Sequence, residues 1–368
     1  MAAEVRPELG KGKQAVPLGH TLVASVALLG AVAIDTIPRE PPNGPASGPI
    51  VITAGGTYSG HWASTGSTPP VRIQTTEPVT IRNAVVVNRE NATLIQAGVR
   101  GSNVTIERVY AYGGAGRFFS GEDVKTLVVT NSDIIRTGGI YVLKTQAGGT
   151  ISVTRNRQRD VQGSLGLRQF LQLDQVTTAT IDVSWNEIVN SYGRSRVEDN
   201  ISLHRTAFAK VHDNYIQGGY PSKASDGYAG SGIMVDSRGS HDNEIYSNQI
   251  VETTNAGIGI AGGYNNKVYD NRLVSDGRLT TGERLAAANV GVFVWNSLND
   301  SSWSNNQAYR NYVAWVNGKG GRNDWWLPHC TANCGNIRHS GTVRYVTEFA
   351  EWVRWLRKLE ASKIKVGR

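Results

Sequence analysis

The sequence predicts an all-β solenoid of short parallel strands, and three observations predict it. A hexapeptide of the form apolar-x-x-Asn-x-apolar recurs as Val183–Ile188, Val211–Ile216, Ile245–Ile250, Val268–Leu273 and Ala308–Val313, with degenerate copies centred on Asn131 and Asn156. Its asparagines, Asn186, Asn214, Asn248, Asn271 and Asn311, are 28, 34, 23 and 40 residues apart. A floor in the low twenties with a variable excess implies one coil per repeat, with insertions confined to loops. Strand-like runs rich in Gly, Asn, Thr and Val fill the intervals, and helical periodicity is almost absent before residue 347. Asn suits the tight bend because it tolerates left-handed dihedrals and its side chain bonds nearby backbone. Stacked on successive turns, the amides can also bond one another along the axis.

The elements follow in order. Basic Lys11 and Lys13 precede an apolar run from Leu22 to Ile34, and Ala31-Val32-Ala33 has the small-x-small form of a cleavage site. The run is short for a membrane span, so residues 1–34 are expected to be a signal peptide, with an N-terminal anchor as the alternative. Residues 35–49, with Pro38, Pro41, Pro42, Pro45 and Pro49, read as a linker. Residues 50–315 form the coil. In its clearest part, Thr180–Trp185 leads into Asn186, Glu187–Val189 follows, a polar loop intervenes, then Ile201–Arg205 and Ala209–His212 lead into Asn214. Three strands per turn, one tight Asn bend and one loop of variable length make a right-handed parallel β-helix. Residues 316–368 are expected to be a C-terminal loop and a capping helix. Phe349, Trp352, Val353, Trp355 and Leu356 recur at helical spacing over 347–358, with Thr347 as N-cap. Such a helix would cover the last rung, because an uncovered solenoid end is a sticky edge.

The net charge is +8 and the pI about 9.4, which favours an anionic partner. Much of the excess sits at the two ends, so it says little about a central site. Cys330 and Cys334 are the only cysteines, close enough to pair in an oxidising compartment. With the N-terminal segment, they point to a secreted, periplasmic or cell-surface protein. His329, the two cysteines and His339 match no common zinc spacing.

Register along the coil reveals the candidate site. The strands Leu171–Asp174, Ile201–His204, Ile233–Asp236, Ile258–Ala261 and Val292–Trp295 align with one apolar column facing inward. Two columns then face outward: Gln172, Ser202, Met234, Gly259 and Phe293, and beside it Asp174, His204, Asp236, Ala261 and Trp295. The second puts Asp, His and Asp on three consecutive rungs. Arg168, Arg205 and Arg238 lie near these strands, and Lys144 ends the preceding one. The loop 219–230, with Tyr220, Lys223, Asp226 and Tyr228, could wall a groove, and Phe293 and Trp295 could stack on sugars. An ordinary cross-strand charge pair would account for the Asp and His with no function at all.

This layout resembles the pectate-lyase-like β-helix superfamily over roughly residues 50–315. The resemblance implies that this sheet and its loops form a polysaccharide cleft. It also implies calcium as a candidate cofactor, with Asp236 and Asp242 as carboxylates, although no loop has a recognisable calcium spacing. The Trp-Ile-Asp-His and Arg-x-Pro-x-x-Arg motifs of pectate lyases are absent, as are the polygalacturonase set and the Tyr-Gly-Phe-Asp-Pro-His of alginate epimerases. Asp226-Gly-Tyr228 lies in a place comparable to the last.

The leading expectation is a lyase or C5-epimerase acting on a uronic-acid glycan, with no nucleic acid and no stable membrane span. His204 or Tyr228 would be the base and Arg205, Arg238 or Lys144 the electrophilic partner. Arg168, Lys223, Phe293 and Trp295 would complete substrate binding. The alternatives are an inverting glycosidase using Asp174 and Asp236, two rungs or roughly 9.6 Å apart, and a non-catalytic glycan binder.

Overall fold

The computed structural model describes residues 40–41, 44–162, 168–221, 228–279, 281–285 and 289–368. The expected signal segment, Lys223 and Asp226 lie outside these. The described residues belong to one compact unit, Pro38–Arg368. Within it the chain is a parallel β-helix. One turn carries the strands Leu171–Asp174, Thr180–Ser184 and Glu187–Val189; the next carries Asp199–His204, Ala209–His212 and Tyr215–Gly219. Each strand pairs in parallel with its counterpart one turn on. The pairing continues beyond Trp315, where Trp325–Trp326 adds to Val292–Phe293 and Ile337–Arg338 to Tyr312–Val313.

The expected inward column is the core. Ile201, Leu203, Ile233, Val235, Ile258, Ile260, Val292 and Val294 are fully buried. Alternation sends their neighbours outward and hands each turn one layer of apolar side chains to stack on the next.

The asparagine ladder is continuous from Asn156 to Asn336. Each side-chain carbonyl accepts from the backbone N–H and the amide of the preceding rung: Asn186 Nδ2 to Asn214 Oδ1 is 2.9 Å, and Asn214 Nδ2 to Asn248 Oδ1 is 2.9 Å. It runs on through Asn271 and Asn311. Two details differ from expectation. The left-handed residue of each bend is the one before the asparagine (Trp185, Asp213, Ser247, Asp270 and Arg310), so Asn is there for its amide and not for its backbone. Asn131 is likewise left-handed and outside the ladder; Ser132 takes the rung, its N–H donating to Asn156 Oδ1. A second ladder, Asn243–Asn266–Asn306, supports another bend.

The C-terminal helix spans Tyr345–Ser362, with Arg344 as N-cap and Thr347 Oγ1 accepting the Arg344 N–H at 3.1 Å. It lies along the flank formed by the third strands and not across the last turn. Trp355 donates to buried Glu187 (2.9 Å), Arg272 pairs with Glu351 (2.7 Å), and Lys358 with Asp213 (2.7 Å). Trp303, Trp325, Leu327 and Cys330, partly buried, pack against the apolar core. Cys330 and Cys334 form a disulfide. Among the described residues no helix is long and apolar enough to cross a membrane.

The second-strand face carries a stacked ladder, His212–Tyr246–Tyr269–Tyr309, with centroids 4.7–5.3 Å apart. Burial pushes the His212 imidazole down, but bonds to Asp182 (3.2 Å) and Asp213 (2.7 Å) outweigh it and raise it to about 9. A folded value above the ordinary ~6.5 means that protonation stabilises the fold fully below about pH 6.5, and that this contribution is lost as pH rises through about 9. In thermal melts, wild type should therefore lose its advantage over His212→Gln across that window. A gap that stays constant with pH would contradict the assignment.

Candidate functional site

The site is built where the first strands of successive turns end. Asp174 pairs in register with His204, and Asp236 follows Val235, the partner of Leu203, so it falls beside His204 on the next rung. The companion column is also as aligned: Gln172, Ser202, Met234, Gly259 and Phe293 are successive partners. Gly259 is required there, because a Cβ would collide with the Phe293 ring and come within 2.7 Å of Met234 Sδ. Its absence lets the two apolar side chains close into one floor.

His204 Nδ1 lies 2.9 Å from Asp174 Oδ1, so with the carboxylate as acceptor Nδ1 carries the proton and Nε2 is left for a ligand. Arg205 Nη2 reaches the same oxygen at 3.3 Å, and the Tyr141 hydroxyl donates to Asp174 Oδ2 at 3.4 Å. Burial pushes the Asp174 carboxyl up, but the His204 hydrogen bond and the neighbouring cations hold it below the usual range. Asp236 goes the other way. Burial raises it, and the pull of His204 does not compensate. Asp236 Oδ1 is buried without a hydrogen-bond partner.

The bend after these residues is left-handed at Lys144, Gln175 and Arg205 alike. Lys144 and Arg205 with Arg238 line a depression of about 470 Å³ beside the column. Arg238 is tied to the Leu298 carbonyl by Nε (3.1 Å) and Nη2 (2.6 Å). Arg168 sits just before its strand and bridges Val197. Tyr228, Met234, Phe293 and Trp295 line a larger cavity of about 680 Å³ together with Asp236 and Trp326. His204 and Asp174 thus stand between a cationic and an aromatic surface.

Four residues at the site escape the sequence reading. Arg117 lies on the Tyr141 ring at 4.2 Å and contacts Gln172 Oε1 at 3.4 Å. Burial lowers its guanidinium to about 10, aided by Arg168. Glu198 and Asp199 line the aromatic cavity; burial and then Asp236 push the Asp199 carboxyl well above the usual range. Tyr141 was findable, since it sits one rung before Gln172 in the same alternation. Asp236 and Asp242 do not converge: Asp242 is paired with His241 ahead of a different strand, at 2.7 Å. Among the described residues no three His, Cys, Asp or Glu side chains gather as metal ligands, so no calcium step is derived.

Fold and site together define a parallel β-helix with a histidine–carboxylate pair on its outer face, flanked by two depressions. Comparison with protein-family models gives no match, and none is found among curated proteins or solved structures.

Proposed function

We propose that the protein is an exported enzyme acting on a uronate-containing polysaccharide, by a reaction that begins with removal of the proton next to the uronate carboxyl. The observation that carries this reading is the Asp174–His204 pair with Arg205 on the same carboxylate, a base with its orienting partner beside a cation. His204 Nε2 takes the C5 proton, and the electron pair passes into the carboxyl as an enolate that Arg205 or Lys144 stabilises. In a lyase the pair returns to expel the C4 oxygen, which takes a proton from an acid. In an epimerase a proton returns to C5 from the opposite face. Asp236, whose carboxyl burial pushes above the usual range, is the acid within the column. On this reading the coil is of the pectate-lyase-like kind, and the Cys330–Cys334 disulfide suits an oxidising compartment.

A second reading, inverting hydrolysis, is favoured by the opposite displacement of the Asp236 and Asp174 carboxyls. It is weaker, because Asp174 is already committed to His204 and Arg205. A panel of uronate polymers followed for ultraviolet absorbance of unsaturated uronates and for new reducing ends separates these. Absorbance together with reducing ends supports the lyase. Reducing ends without absorbance overturn proton abstraction in favour of hydrolysis. Where neither signal appears, NMR of the polymer distinguishes inversion at C5 from mere binding.

A further inference from the structure

The outer face on either side of His204 has two chemically different halves, and they point to the composition of the substrate. We propose that it binds a glycan in which uronate alternates with uncharged sugars, the uronate carboxylate over Arg117 and the neighbouring uncharged sugar in the aromatic cavity. This rests on the glycan-active reading above and narrows it.

On the N-terminal side, Arg117 is an incompletely satisfied cation. It lies on the Tyr141 ring, its one side-chain hydrogen bond among the described residues is the 3.4 Å contact to Gln172, and its Nη1 is buried without a hydrogen-bond partner among them. No carboxylate lies within ion-pair distance of it among the described residues, and the charge that acts on it most is that of Arg168. A partly desolvated guanidinium with a buried, unpartnered Nη1 calls for an anion, and a planar carboxylate suits the guanidinium fork. Tyr141 also touches Asp174, which puts this anion position next to the His204 pair.

The C-terminal side is the reverse. Of the described residues lining the 680 Å³ cavity, none is Lys or Arg, and the ionisable ones besides Tyr228 are Glu198, Asp199 and Asp236. Asp199 is 6% exposed and its Oδ1 has no hydrogen-bond partner. A uronate there would meet carboxyls and no cation, whereas an uncharged sugar offers hydroxyls to them and its apolar face to Phe293, Trp295 and Trp326. From Tyr141 to Phe293 the outward column runs in unbroken register through Gln172, Ser202, Met234 and Gly259. Gln172, which Arg117 contacts, and Met234, which lines the cavity, are two steps of about 4.8 Å apart, roughly 9.6 Å, so the two halves are adjacent subsites on one line, with His204 between them.

The test uses the full chain and three oligosaccharide probes of equal length: a glucuronate homo-oligomer, an alternating glucuronate–N-acetylglucosamine oligomer and an uncharged cello-oligomer. The alternating probe should bind tightest by calorimetry. Arg117→Gln should weaken both charged probes about tenfold, flatten their salt dependence and leave the cello-oligomer unchanged. Trp295→Ala should weaken the alternating and uncharged probes about fivefold and spare the homo-oligomer. If the homo-oligomer binds as tightly as the alternating probe, or if Trp295→Ala weakens it equally, the proposal fails while the uronate-active reading stands. Failure of all three probes to bind removes both.

Discussion

His204→Ala is expected to lower turnover of the responsive uronate polymer by about 10²–10⁴-fold, the usual contribution of a positioned acid or base, with the melting temperature close to wild type. The side chain is one-third exposed and outside the apolar core, so its loss opens no cavity. The matching variant is Asp174→Asn. It leaves the strand pairing intact but replaces the carboxylate that holds Nδ1, so kcat should fall while KM changes little. A purely structural ion pair would behave differently: both variants would destabilise the protein slightly, and activity would follow the folded fraction. Free imidazole added to His204→Ala supplies a further readout, since partial rescue of turnover requires a missing base. Activity within tenfold of wild type in the folded His204→Ala protein would exclude this residue as the base.

Asn214→Ala should be the most damaging single change in the coil, costing at least about 3 kcal/mol. The Asn214 amide donates to Asn248 Oδ1 (2.9 Å), Val183 O (2.8 Å) and His212 O (2.9 Å) and accepts from the Asn186 N–H and amide. Truncation strands buried donors and acceptors on both adjacent turns, each worth about 1–3 kcal/mol. Asn131→Ala, outside the ladder and partly exposed, is the comparison; it loses a left-handed preference and a bond to the Lys365 carbonyl and should cost about 1–2 kcal/mol. Denaturant midpoints for the two variants, at unchanged m, check this. Equal losses would mean that the ladder amides contribute no more than surface polar groups.

The contrast between those two asparagines shows how far the sequence could be read. Spacing placed Asn186, Asn214, Asn248 and Asn271 correctly, yet it also offered Asn131, because a hexapeptide pattern cannot separate the bend residue from its neighbour. The same spacing brought Asp174, His204 and Asp236 together across gaps of 30 and more residues. That worked because a parallel coil repeats its register, and inward apolar residues mark it on every turn. Loop residues carry no such ruler. Arg117 and Glu198 precede their strands, where chain direction changes and no alternation applies, so their approach to Tyr141 and to the aromatic cavity was invisible.

The C-terminal helix divides in the same way. Its existence and its buried face, with Trp352 and Trp355, follow from a period of local sequence. Its seat on the flank depends on Glu187, Arg272 and Asp213, residues with no local relation to it. By itself, then, the sequence determined the coil, its register and the Asp–His–Asp column, since each arises from a repeat along the chain. The tertiary structure alone decided which carboxyl is pushed down and which up, where the cations lie, and what lies beside His204. Those properties depend on burial and on charges brought together from distant turns, and neither is a function of spacing.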